Sequence, residues 1–181
     1  MKAVLLVDGS NVANSPVWTR YVKRTTDDSA TAASAQADAD RVRVRLLDAL
    51  LGWTVEFNHE LYIVFDGAGP VGVGDHPWGN GTVVGSGDMD GDTVIERYAA
   101  SLARASRPYW LVTSDADLRE VAGARSERTL EADAFATELI EIGQLPPSGA
   151  RADAEETPGQ LRDSLDAETL ERLERMRRGE A

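Results

Sequence analysis

The sequence contains no cysteine, two histidines, two lysines and no apolar run approaching the length of a bilayer. Each absence removes a class of function. Without cysteine there is no disulfide framework, no thiol nucleophile and no thiolate zinc site, a pattern that fits a reducing compartment. A membrane-spanning helix needs roughly 20 predominantly apolar residues, so no membrane role is expected. The run from Met1 to Asp8 carries one basic residue and an apolar stretch broken at Asp8, which reads as a buried strand and not as a signal-peptide core. The cytoplasm is the expected location. Neither Lys2 nor Lys23 follows a glycine-rich loop, so a Walker A phosphate site is excluded. No Gly-x-Ser-x-Gly elbow supports a serine hydrolase. Gly67 to Gly72 satisfies the spacing of a dinucleotide turn, but Gly74 and Pro77 bar the helix that would have to follow. His59, just before an apolar run, and His76, in a Gly/Pro-rich stretch, make a poor acid–base pair.

What the chain has in excess is acid: 31 Asp and Glu against 19 Lys and Arg, a net charge of −12. That balance argues against a protein that coats nucleic acid through a basic surface. It does not exclude a nuclease, because acids gathered in one place hold metal ions, and the ions bring positive charge to a phosphodiester. The placement of the acids therefore decides.

Three apolar runs end in aspartate: Val4 to Val7 before Asp8, Leu61 to Phe65 before Asp66, and Tyr109 to Thr113 before Ser114-Asp115. Each reads as a strand buried on both faces, as parallel sheets require. Thr82-Val83-Val84 is short enough to be strand or loop. Helical segments are expected at about Ala39 to Phe57, Thr93 to Ala105 and Leu130 to Ile142. In the second of these, Val94/Ile95, Tyr98 and Leu102 recur at helical spacing. Strands alternating with helices imply an α/β fold, a three-layer α/β/α arrangement around a mainly parallel sheet.

Thr25 to Ala37 and the Gly/Pro-rich Gly67 to Gly81 read as irregular. Residues 1–145 form one domain in this reading. A linker rich in Pro, Gly, Ala and Glu covers 146–159, and an amphipathic helix covers 160–178, with Glu168/Arg172, Glu171/Arg175 and Glu174/Arg178 at i,i+4. Its stripe of Leu161, Leu165, Leu170, Leu173 and Met176 suits docking on its own domain or on a protein partner, and equally suits a solvated helix.

Open α/β sheets bind ligands at the carboxyl ends of their strands, where Asp8, Asp66 and Asp115 fall. Asp92 opens a helix that can point to the same edge. An aspartate there can also be a helix cap, a role open to Asp115 and Asp117. Gathered acids repel unless a cation compensates. Oxygen ligands without supporting Cys or His suit Mg²⁺ or Mn²⁺.

Taken in order, these residues resemble a known family. Val7-Asp8-Gly9-Ser10-Asn11-Val12 resembles the opening strand and Asp-Gly-x-Asn turn of NYN domains, members of the PIN-like ribonuclease superfamily. Val64-Phe65-Asp66-Gly67, Asp92-Thr93-Val94-Ile95-Glu96 and Val112-Thr113-Ser114-Asp115 are similar to motifs of the bacterial YacP-like branch, and Gly123-Ala124-Arg125 lies where a related segment follows. The resemblance implies a metal-dependent endoribonuclease in which Asp8, Asp92 and Asp115 bind Mg²⁺ or Mn²⁺. Asn11 and Ser114 would position the metal shell or the scissile phosphate, while Asp66, Asp90 and Asp117 would line the cleft. Gly91 stands where the branch has alanine, and Asp88 and Asp90 offer alternative acids beside Asp92.

An RNA partner needs positive and stacking groups near such a centre. Arg20, Lys23 and Arg24 after the first turn, Arg119, Arg125 and Arg128 beyond Asp115, and Trp18 or Trp78 are the candidates. Two rival functions share the fold: a catalytically weak RNA-binding or regulatory module, and a nucleotide phosphohydrolase.

Overall fold

Branched and aliphatic side chains from Val4 to Val7 favour an extended chain, and every residue of the resulting strand, β1 (Val4–Asp8), is buried. β1 lies inside a six-stranded sheet, paired in parallel with β2 (Glu60–Phe65) on one side and β5 (Tyr109–Val112) on the other. The computed structural model describes residues 2–25 and 35–144. They fall within one unit, Met1–Leu145. The expected linker and terminal helix lie outside the described residues.

The sheet order is β3-β4-β2-β1-β5-β6, with β3 (Gly74–Trp78), β4 (Gly81–Gly85) and β6 (Arg128–Leu130) completing it. All pairings are parallel except β3 with β4. Side chains alternate across the strands. Leu5, Val7, Leu61, Ile63 and Phe65 face a layer holding α1 (Gly9–Asn14), α2 (Pro16–Thr25), α3 (Ala35–Glu56) and α6 (Ala132–Gln144), where Val12, Trp18, Leu50, Trp53 and Phe135 close the core. Val4, Leu6, Val64 and Val84 face α4 (Gly91–Arg104) and α5 (Ala116–Val121) through Val94, Ile95, Ala99, Leu102 and Leu118. The fold is three-layered α/β/α.

Several expectations are corrected. Gly67 to Gly81 is not wholly irregular, because it contains β3; Thr82-Val83-Val84, open between strand and loop in the sequence, is the centre of β4. The two strands form a hairpin whose turn includes Gly79 at φ +57°. Backbone pairing holds β3 despite its poor strand composition, and Pro77 is tolerated because β3 is an edge strand. The last helix begins at Ala132, and Leu130 belongs to β6. The irregular reading of Thr25 to Ala37 meets helix at both ends, since Thr25 closes α2 and Ala35 opens α3, while 26–34 lie outside the described residues. Trp18, a stacking candidate in the sequence, is 1% exposed in α2, and its Nε1 donates to Val42 O at 3.2 Å. No base could stack on it there.

Gly9 shows how tightly the first turn is built. A Cβ there would stand 2.7 Å from Ile63 Cγ1 and 2.8 Å from Val64 O, so only glycine lets α1 begin directly over β2.

Candidate active site

β1 delivers Asp8 to the carboxyl edge of the sheet, where its side chain is fixed at both oxygens. Oδ1 accepts the Asn11 backbone N–H at 2.9 Å, capping α1, and Oδ2 accepts the Thr113 hydroxyl at 3.0 Å. Thr113, fully buried just past β5, in turn accepts the Asp115 N–H at 3.1 Å. One hydroxyl thus ties the ends of β1 and β5 together. Asp8 is 7% exposed, and that burial pushes its carboxyl up from the ordinary 3.8 to about 6. The bonds from Asn11 and Thr113 act against the rise, while the charges of Asp92 and Asp66 add to it.

Asp115 is half-buried and caps α5, its Oδ1 accepting the Leu118 N–H at 2.9 Å. The capping role open to it from the sequence is therefore filled, without removing it from the cleft. Asp92 sits in the first turn of α4, its carboxyl raised first by burial and then by Asp90, Asp115, Asp66 and Glu96. Asp66 follows β2; its N–H donates to Ser10 Oγ at 2.9 Å and its Oδ1 accepts the Gly91 N–H at 3.0 Å. Asn11 reaches across the edge, its Oδ1 accepting the Ser114 N–H at 3.2 Å, and Ser114 Oγ accepts the Ala132 N–H at 2.9 Å, capping α6.

These groups line one open cleft of about 500 Å³. Its walls carry Asp8, Asp66, Asp90, Asp92, Asp115 and Asp133, with Ser10, Asn11, Asn14 and Ser114 between them. Among the described residues, no lysine, arginine or histidine lines it. Six carboxylates line one edge of the sheet, and Asp8 and Asp92 are raised first by burial and then by the charges of their acidic neighbours. An all-oxygen donor set of this charge fits a hard divalent cation in chemistry. Among the described residues no three acids or histidines already stand together as a ligand group, so the fit is one of charge and donor type.

Other expected site residues fall elsewhere. Asp117 stands exposed in the first turn of α5 and is not among the lining residues. Two positions along a helix turn a side chain by about 200°, so Asp115 and Asp117 cannot share a face. Asp88 is exposed outside the lining, whereas Asp90 lines it from the cap position of α4. Arg119 pairs with Glu131, Arg128 lies over the Trp110 ring at 5.0 Å, and Arg125 borders a separate hollow against α4 and Tyr109. Arg20, Lys23 and Arg24 are exposed along α2, whose first residue, Pro16, lines the cleft. His59 is buried against Trp53 and Trp110, a packing role, and Trp78 is half-buried on β3.

Thr113 and Asp133 are cleft-building residues that the sequence alone does not single out. A threonine between a buried strand and a capping aspartate is a usable signal for the first. Nothing marks the second until β6 and α6 are separated.

The comparisons with known proteins accord with this geometry. The sequence matches the YacP-like NYN domain over residues 5–178. No curated protein matches it. The fold is similar to the crystal structure of Rae1 (YacP) from Bacillus subtilis, with a TM-score of 0.60 and 22% identity over 97% of this chain and 95% of that one. A point mutant of the same Bacillus subtilis protein gives a TM-score of 0.55 and 19% identity over 78% and 77% of the two chains. Since the family's fold is that of ribonucleases, nuclease or RNA-related function is the supported class, and the extent of the sequence match makes this chain a member of the YacP-like NYN domain family.

Proposed function

We propose that the chain is a metal-dependent endoribonuclease, with Asp8, Asp92 and Asp115 holding Mg²⁺ or Mn²⁺ in the acidic cleft. The observation that carries this reading is the lining itself: six aspartates at strand ends and helix starts and no basic side chain among the described residues. An acidic cleft of this kind repels a phosphodiester unless a cation lies between them. When bound, such a cation activates water, polarises the phosphoryl group and stabilises the leaving oxygen.

The chain's own residues supply the arrangement. Thr113 and the Asn11 N–H orient Asp8, while the α5 cap orients Asp115. Asn11 and Ser114, already bonded across the cleft, position the scissile phosphate and its water. Asp66 and Asp90 line the approach. RNA reaches the cleft along α2, where Arg20, Lys23 and Arg24 meet its backbone, with Arg119, paired to Glu131, beyond Asp115; Arg125, in its separate hollow, lies off this path. The cleft's open form suits a polymer better than a nucleotide held on all sides, which favours the nuclease over the phosphohydrolase. Purified protein incubated with mixed RNA and Mn²⁺ or Mg²⁺, beside Asp8→Asn and Asp115→Asn, tests the proposal. Cleavage by the wild type alone is expected; equal cleavage by all three, or by none, would overturn it.

A further inference from the structure

Asp66 shares the cleft with the three acids assigned to the cation, yet its bonds are of another kind. Its backbone N–H is held by Ser10 Oγ in the opening turn, and its Oδ1 accepts the N–H of Gly91, the first residue of α4. α4 has its own residue at the cap position, Asp90, but that side chain makes no capping bond. One of the orphan N–H groups of the helix start is thus satisfied from a neighbouring strand.

Gly91 supports the same assignment. Its φ is not among the positive ones, so the backbone does not require glycine there. A Cβ at position 91 would instead collide with Asp66 Oδ1. With alanine at this position the Asp66 carboxylate would have to swing off the start of α4. Asp92 follows directly, so whatever holds Gly91 also sets where the Asp92 carboxylate stands relative to Asp8.

We propose that Asp66 is a positioning residue: by accepting the Gly91 N–H while pinned to Ser10, it fixes the start of α4 and holds Asp92 in the cleft, and it is not itself a cation ligand. This rests on the reading of Asp92 as a ligand under the proposed function. The role asks for an acceptor oxygen at residue 66, which asparagine supplies, and not for a charge. A ligand role asks for the charge.

Three variants separate the two. Asp66→Asn keeps the acceptor, Asp66→Ala removes it, and Gly91→Ala removes no carboxylate from the sequence but pushes that of Asp66 off the residue 91 amide. Mn²⁺ affinity by calorimetry, RNA cleavage and hydrogen exchange at the Gly91 amide are measured on the full chain. Asp66→Asn is expected to retain Mn²⁺ affinity and cleavage within about threefold, with a protected Gly91 amide. Asp66→Ala and Gly91→Ala are expected to lose at least about tenfold in both Mn²⁺ affinity and cleavage, the scale of losing a residue that orients a ligand, and to expose the backbone amide of residue 91. A tenfold or larger loss of Mn²⁺ affinity in Asp66→Asn with the amide still protected overturns the proposal, as does wild-type behaviour of Gly91→Ala. If the wild type neither binds Mn²⁺ nor cuts RNA, the nuclease reading falls by itself. The amide then decides alone: slow exchange in wild type and Asp66→Asn with fast exchange in Asp66→Ala supports the cap, and equal exchange in all three overturns it.

Discussion

At the carboxyl end of the strands six aspartates line a cleft without a basic side chain among the described residues, whereas at the amino end Glu60 is met by Arg107, with Tyr62 beside them. The same end is closed by His59 packed against Trp53 and Trp110, and by Asn80, which accepts the Thr54 hydroxyl at 3.1 Å and donates to His59 O at 2.8 Å. One end of the sheet is neutralised from within. The other is left in deficit among the described residues, and under the proposed function a cation supplies the missing charge. On that reading the paired end serves stability, and the unpaired end serves chemistry.

Neutralising an acid at the cleft tests this division most directly. Asp8→Asn or Asp115→Asn is expected to lower RNA cleavage by about a thousandfold, roughly 4 kcal/mol of transition-state stabilisation, with thermal stability retained. Rates measured under saturating Mg²⁺ check this, and a loss under tenfold would place the chemistry elsewhere.

Next in size is the dependence on pH. The Asp8 carboxyl stands at about 6 in the folded chain against an ordinary 3.8. Being protonated more readily folded than unfolded, it contributes stability that is fully present below about pH 4 and lost as the pH rises through about 6. Metal-free protein should therefore lose up to about 3 kcal/mol from this group between pH 4 and 8. A bound cation favours the ionised form, so Mg²⁺ should flatten the slope. Urea unfolding at several pH values, with chelator and with Mg²⁺, reads both effects. Identical slopes would mean that no cation answers the deficit.

At the paired end, Glu60→Ala should leave cleavage unchanged and cost about 1 kcal/mol, since the pair with Arg107 is only partly shielded from solvent. A drop in melting temperature of about 3 °C would report it. A cleavage defect there would erase the division between the two ends.

The smallest effect is expected from the flank of the cleft. Replacing Arg20, Lys23 and Arg24 together by alanine should reduce the salt slope of single-stranded RNA binding by about 2, because each lost phosphate contact removes roughly 0.7. Fluorescence anisotropy with Asp8→Asn as the uncleaving background measures it. An unchanged slope would route the RNA along another face.

How much of the molecule is legible in the sequence depends on the strength of local signals. β1, β2 and β5 announce themselves because strands buried on both faces must be continuously apolar, and α4 does so through its stripe. β3 does not, since Gly74, Asp75, His76 and Pro77 carry no strand preference and their order comes from pairing with β4. α1 and α5, six residues each, are too short to show a period. Asp8, Asp66, Asp92 and Asp115 are visible because each ends a strand or opens a helix. The bridging role of Thr113 is not, because it exists only once Asp8, 105 residues away, lies beside it. Asp117 and Trp18 mislead because which way a side chain faces is settled only when the helix that carries it is packed: Asp117 turns out to solvent, and Trp18 turns into the core.

β1 is enclosed twice over within the sheet. Its neighbours, β2 and β5, are each flanked by a further strand, so either border of the sheet can fray while the ladder around Asp8 stays closed. Amide exchange along Val4 to Val7 should proceed only through global opening. The hardest acid to ionise is thus mounted on the segment last to let go, and thermal inactivation should coincide with complete unfolding instead of preceding it.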